Sequence, residues 1–141
     1  MSLKFSSSYR AIQIGLLDGS TLARSINKNS KVIELVENLL QMLNVAEKDY
    51  FGLYYTLDSR RNWLQLKQKI WPQIRHLDPP YQLHFGMQFY PRNPVLLQEE
   101  MTTYLMYLQL KKDVIEDRLI LTEQDRSEIC AYILQAEGSG T

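Results

Sequence analysis

Hydrophobic and polar positions alternate over Arg10–Leu16, with Ile12, Ile14 and Leu16 on one side, the period of a half-buried strand. Asp18-Gly19 follows, and because glycine tolerates the positive φ of a tight turn, the pair predicts a hairpin. Alternation resumes over Thr21–Ile26 with Leu22 and Ile26. Ser30 then stands where an N-cap would open a helix over Lys31–Leu43, in which Val32, Leu35, Val36, Leu39, Leu40 and Leu43 recur at three- and four-residue spacing. Phe51–Leu57 reads as a third strand. Tyr81–Tyr90 reads as the clearest one, with Leu83, Phe85, Met87 and Phe89 on one face and Gln82, His84, Gly86 and Gln88 on the other. Strands on both sides of one helix predict an α+β unit, in which four or five strands curl over the helix and bury it.

The pattern changes near Tyr90–Pro94, where Pro91 and Pro94 interrupt any ladder or helix. Beyond it, Leu97, Met101, Tyr104, Leu105, Leu108 and Ile115 predict an apolar stripe on a helix over Leu96–Arg118. Thr122 is placed to cap a second helix with Ile129, Cys130, Ile133 and Leu134 on one face, and residues 138–141 read as a flexible tail. Charge divides at the same place. Residues 1–91 carry 11 Lys and Arg against 7 Asp and Glu, and the remainder 5 against 9.

Those two halves cancel to a net charge of zero over 141 residues, without the basic excess that a dedicated nucleic-acid binder uses to neutralise phosphates. Apolar runs of about four residues are far below the roughly 20 that cross a bilayer, and Met1-Ser-Leu-Lys-Phe lacks the apolar core of a secretion signal. The one cysteine, Cys130, has no internal partner for a disulfide, which fits a reducing compartment. The expectation is a soluble intracellular protein. Catalytic chemistry has little to stand on, and no catalytic, cofactor or metal residue is assigned. His84 falls on the polar strand face and reads as exposed, His76 lies in a loop beside Asp78, and Cys130 sits on an apolar helix face without a base. Glu99 and Glu100 are adjacent and diverge on a helix, so they do not make a metal site.

Four strings recur in order: Asp49-Tyr-Phe-Gly-Leu; Asn62-Trp-Leu-Gln-Leu; Pro79-Pro-Tyr-Gln-Leu-His-Phe-Gly-Met-Gln-Phe-Tyr-Pro; and Glu99-Glu-Met-Thr-Thr-Tyr-Leu-Met-Tyr-Leu-Gln-Leu-Lys-Lys-Asp. Together they resemble the FERM domain of the band 4.1 superfamily, over most of the chain from about Arg10 to Glu137, and among its members most resemble cytoskeletal scaffolds. The resemblance implies a ubiquitin-like β-grasp lobe over residues 1–91, then two helices over 92–137 of a bundle resembling acyl-CoA-binding protein. Its implied role is a non-catalytic adaptor at the cell cortex, whose partners are cytoplasmic tails of membrane proteins, cytoskeletal or scaffold proteins, and at most weakly an anionic phospholipid. The alternatives are the N-terminal piece of a FERM-bearing tyrosine phosphatase, or a shortened form that antagonises complete FERM proteins. Conjugation as a ubiquitin-like modifier is excluded, because the lobe runs on into a helix instead of ending in Gly-Gly.

Family members continue past the Gln135-Ala136 pair into more of the helical lobe and a third lobe, so the chain reads as truncated. Two surfaces follow. Arg60, Arg61, Lys67, Lys69 and Arg75 form a basic stretch. In the family, the segment after the Trp-Leu pair supplies lysines to phosphoinositide headgroups; here the matching positions are Gln65, Lys67, Gln68 and Lys69, so part of that set is neutral. The stretch reads either as a solvated basic face or as a weak lipid contact. Aromatic residues such as Tyr50, Phe51, Tyr54, Tyr55, Trp63 and Trp71 read as lobe core and its contact with the helices, and Tyr107 and Tyr132 are candidates for phosphorylation that no local signal raises above background. The half-built bundle leaves an apolar stripe that is expected to fold back on the first lobe, pair with another copy or stay partly molten. Met101, Leu105, Leu108, Ile129 and Ile133 are its self-association or partner face, each large apolar side chain favouring burial by about 1.5–3 kcal/mol. Sedimentation at tens of micromolar is expected to show self-association; a clean monomer overturns that expectation.

Overall fold

The computed structural model describes residues 9–91 and 99–116. Five strands form one mixed sheet: β1 (Tyr9–Gly15), β2 (Thr21–Asn27), β3 (Phe51–Leu57), β4 (Arg60–Trp63) and β5 (Tyr81–Met87), in the spatial order β2-β1-β5-β3-β4. β1 and β5 run parallel at the centre, and every other pairing is antiparallel. Three helices accompany them: α1 (Val32–Met42), the short α2 (Trp71–Ile74) and α3 (Glu100–Ile115). This is the expected α+β, ubiquitin-like sheet over a single long helix, followed by the start of a helical lobe.

One sheet face meets α1. Val32, Val36, Leu39 and Leu40 of the helix share a core with Ile12, Ile14, Ile26, Phe51, Leu53, Leu83, Phe85 and Met87. At its centre the Phe51 and Phe85 rings stack with centroids 5.4 Å apart. The alternation read from the sequence therefore selects this face correctly up to Met87. Phe89 departs from it. The ladder ends at Met87, and the Gln88 and Phe89 N–H groups both donate to the Tyr50 carbonyl, at 2.7 and 3.1 Å. Two consecutive donors on one acceptor break the period of two, and Phe89 is left 57% exposed.

Helix α1 begins one residue later than expected, and Ser30 does not cap it. The Ser30 hydroxyl donates to Asn27 Oδ1 (3.3 Å) and accepts from the Asn27 N–H (3.1 Å), closing the turn after β2. The first free donors of α1 are met instead by a distant segment: Val32 N–H donates to the Gln68 carbonyl (3.0 Å) and Ile33 N–H to that of Leu66 (2.8 Å). Glu34 takes the Lys31 N–H at 2.9 Å. The helix ends in a Schellman motif, with Asn44 at φ 61°, Val45 N–H on the Leu40 carbonyl and Asn44 N–H on that of Gln41.

The β1–β2 hairpin turns where Asp18-Gly19 predicts it, with Gly19 at φ 92°. Asp18 Oδ1 accepts from the Ser20 hydroxyl (2.6 Å) and N–H (2.9 Å), which holds its carboxyl below the usual range. β4 was not legible as a strand. It pairs with β3 through a two-residue turn in which Asp58 and Ser59 both take positive φ, a conformation usually signalled by Asn-Gly, and neither residue is glycine.

The contrast at the end of β5 is testable. Leu83→Ala is expected to destabilise the chain by about 2–5 kcal/mol, and Phe89→Ala by less than about 0.5 kcal/mol, in urea unfolding. Equal losses would contradict the break after Met87.

Candidate functional site

The second sheet face carries a different chemistry. Along β3, Phe51, Gly52, Leu53 and Tyr54 are buried in succession, so both sides of the strand are covered. The side away from α1 presents Tyr54, Trp63 and His84, together with the glycines Gly52 and Gly86. A Cβ on Gly86 would stand 2.6 Å from Gln109 Oε1 and 3.4 Å from Tyr54 and Trp63 ring atoms, so a side chain there would push the Gln109 amide off the Met87 N–H.

Helix α3 lies on this face through Thr102, Leu105, Met106, Gln109 and Asp113, a stripe that includes three polar residues. The expected apolar stripe is thus buried only in part. Met101, Tyr104 and Ile115 are exposed, Ile115 at 73%, and Leu108 is half-buried. Leu105, expected on the self-association face, is instead part of the buried core. Of the residues named for that face, Met101 is exposed, and Ile129 and Ile133 lie outside the described residues. The reason is in the sequence itself: apolar residues occur on two sides of this helix, and periodicity does not choose between them.

The polar stripe is sealed by one network. Arg61 Nη1 lies 2.6 Å from Asp113 Oδ1, with the two side chains only 10% and 5% exposed, and Arg61 Nη2 reaches Glu116 at 3.5 Å. Gln109 Nε2 donates to Asp113 Oδ1 (2.9 Å), and Gln109 Oε1 accepts the Met87 N–H (2.9 Å) at the end of β5. The Tyr90 hydroxyl donates to Asp113 Oδ2. Burial, and then that hydrogen bond, push the Tyr90 hydroxyl well above its ordinary range, so it remains a donor. Arg61 and Lys112 both lie by the Tyr54 ring, at 5.1 and 5.9 Å from its centroid. His84, expected on an exposed face, is half-buried and stacks on Tyr54 with centroids 5.0 Å apart. At the other end of the junction, Glu99 accepts the Ala46 and Glu47 N–H groups (2.9 and 2.7 Å), while the Glu47 carboxylate accepts the Glu99 N–H. Glu99 is thereby a clamp between α3 and the chain after α1.

The basic residues separate. Arg61 is spent on Asp113 and is withdrawn from any lipid surface; its place in the basic stretch reflected sequence proximity alone. Arg60 and Arg75 are exposed. Lys67 and Lys69, also exposed, meet Lys31, which the sequence reading did not single out. Lys31 and Lys69 form an antiparallel bridge, and with Gln65, Lys67, Gln68, Pro72 and Gln73 they line a depression of about 510 Å³. Among the described residues, no carboxylate lines it. Gln73 braces the loop, taking the Gln65 N–H on Oε1 (2.8 Å) and donating from Nε2 to the Lys69 carbonyl (2.9 Å). Only the chain's return past the start of α1 brings Lys31 here, some 36 residues from Lys67 in sequence.

Other candidates stand apart. His76 is exposed, edge-on to Tyr55. Tyr107 is half-buried beside Tyr104, and Cys130 and Tyr132 lie outside the described residues. Among the described residues, no group of three or more His, Cys, Asp or Glu is placed to hold a metal ion, and no helix is long and apolar enough to cross a membrane.

Arg61→Met is expected to cost about 3–5 kcal/mol in urea unfolding, because it leaves the buried Asp113 carboxylate without its cation. A loss below about 1 kcal/mol would show that the pair is not closed off in solution.

Comparison with known proteins agrees with this geometry. A model of the FERM N-terminal domain matches residues 14–76, and one of the FERM central domain matches residues 92–140. Band 4.1-like protein 2 of Homo sapiens is 35% identical over 126 residues, covering 89% of this chain and 12% of that protein. The protein 4.1 homolog of Drosophila melanogaster is 35% identical over 126 residues, 89% of this chain and 7% of its own length. The chain therefore spans only a small part of these curated relatives. Among solved structures, the FERM and C-terminal domain complex of Drosophila Merlin aligns with a TM-score of 0.65 at 23% identity, over 82% of this chain and 40% of that one. The MyTH4-FERM MF2 domain of Dictyostelium discoideum myosin VII aligns at 0.60 and 14%, over 79% and 27%; at these identities both speak for the fold alone. With two successive FERM units matched in order and band 4.1 proteins as its relatives, the chain belongs to the FERM family of the band 4.1 superfamily.

Proposed function

We propose that this chain is a non-catalytic adaptor module acting at the cytoplasmic face of the plasma membrane, where it joins cytoplasmic tails of membrane proteins to the cortical cytoskeleton. The observation that carries the reading is the pairing of FERM units with band 4.1 relatives on a chain whose buried ionisable groups bind one another across the lobe junction. A carboxylate that is ion-paired through one oxygen and hydrogen-bonded through both is committed to structure, and Arg61 and Tyr90 are committed with it. What is left exposed for partners is surface.

The lysine depression supports a membrane contact of modest strength. Lys31, Lys67 and Lys69 stand clear of the seam between the sheet and α3, on a loop held by Gln73, and each basic residue near an anionic bilayer contributes about 1 kcal/mol. The positive excess of residues 1–91 acts in the same direction, and salt weakens both.

Vesicle co-sedimentation of the whole chain tests the membrane contact. On vesicles containing phosphoinositide, Lys31→Ala/Lys67→Ala/Lys69→Ala is expected to lower the partition coefficient about 100-fold, from three contributions of about 1 kcal/mol each. Arg61→Met is expected to leave it within about twofold. The opposite ranking overturns the assignment. Capture of membrane-protein tails, compared between this chain and a complete FERM module of a relative, tests the adaptor role. Shared tails support it, and capture by the complete module alone overturns it.

A further inference from the structure

The His84 imidazole occupies a position that its expected exposure did not suggest. It stacks on Tyr54 of β3 with the rings 21° from parallel, and its Nδ1 would lie 3.1 Å from a Cβ on Gly15 of β1. The ring thus sits over a gap left by Gly15, on the sheet face that carries α3. Its charged surroundings come from two other elements. β4 supplies Arg61, which lies by the same Tyr54 ring and is paired to Asp113. α3 supplies Lys112, also by that ring, and Glu116 near the end of the helix. β1 contributes no charge beside the ring, since Gly15 lies there with the Gln82 amide of β5 close by.

We propose that His84 makes the seal between the sheet and α3 acid-sensitive: a proton on its imidazole places a third cation beside Arg61 and Lys112 and loosens the helix from the sheet. Two of the three neighbouring charged groups repel that proton. Burial lowers the proton affinity of the imidazole most, Lys112 lowers it further, Glu116 opposes them, and Arg61 adds to the lowering. The docked state therefore binds the proton less tightly than a state in which His84 meets water. Stability of the docked state is fully present above the ordinary histidine range, about pH 6.5, and is lost as pH falls from there through the depressed value. One proton changes the docking equilibrium by at most about tenfold per pH unit. The affected contact is the one that buries Leu105 and Met106, so acidification would expose apolar surface on α3 while α1 keeps its own side of the sheet closed.

Hydrogen exchange and histidine NMR on the whole chain test this between about pH 7.5 and about pH 5.5, the range in which an imidazole changes charge. The expected result is a His84 titration below the ordinary histidine value, shifted upward in Lys112→Gln. Protection factors of amides from Leu105 to Asp113 should fall by several-fold on acidification while that of Leu53 in β3 holds. In His84→Gln the fall in helix protection should disappear. The proposal is overturned if His84 titrates at its ordinary value, if His84→Gln retains the same pH dependence, or if helix and sheet amides lose protection together. Should His84→Gln fail to fold, the Lys112→Gln titration decides: an unchanged His84 overturns the proposal.

Discussion

Arg61 and Asp113 come from segments more than 50 residues apart and meet almost out of water, and the arrangement of the sheet and α3 follows from satisfying them. A buried ion pair is seldom a large net source of stability, because desolvating both charges offsets most of their attraction. Its effect is on geometry. Asp113 has no low-energy alternative once buried, so α3 must sit where Arg61, Gln109 and Tyr90 all reach that carboxylate. Gln109 carries the constraint on to the backbone of β5 through Met87, which fixes the axial position of the helix against the sheet.

The two faces of the sheet consequently behave as different kinds of contact. The α1 face is apolar and crowded, with Phe51 stacked on Phe85 and the helix start held by the Leu66 and Gln68 carbonyls. Contacts of that kind favour burial without specifying direction strongly. The α3 face is aromatic and charged, and requires specific partners: glycine at position 86 for the Gln109 amide, Tyr54 beside two cations, and Glu99 aimed at the Ala46 and Glu47 amides. A junction built from directional groups responds to protonation and charge substitution, whereas the α1 core responds mainly to volume.

The same division sorts the surface electrostatics. Arg61 is turned inward onto Asp113 and Glu116, despite its basic neighbours in sequence. Three exposed lysines, Lys31, Lys67 and Lys69, gather instead at the loop between β4 and α2, where Lys31 returns to meet Lys69. The seal and the lysine surface share no residue.

How much of this was legible depended on whether a feature was local. Alternation placed Ile12, Ile14, Leu83 and Phe85 in the core, three- and four-residue spacing placed Val36 and Leu39, and Asp18-Gly19 placed a turn, because each rests on the period or φ preference of adjacent residues. The strings around Trp63, Tyr81 and Tyr104 carried the family. Four matters were decided only by tertiary structure. Ser30 does not cap α1, because the Leu66 and Gln68 carbonyls met those amides first. Phe89 turns to water, because Tyr50 accepts two donors and ends the ladder. Helix α3 buries Gln109 and Asp113 in preference to Met101 and Tyr104, because their partners stand on β4 and β5. Lys31 joins Lys67 and Lys69, because the chain doubles back. In each case the deciding partner lies far away in sequence, where neither periodicity nor propensity carries information about it.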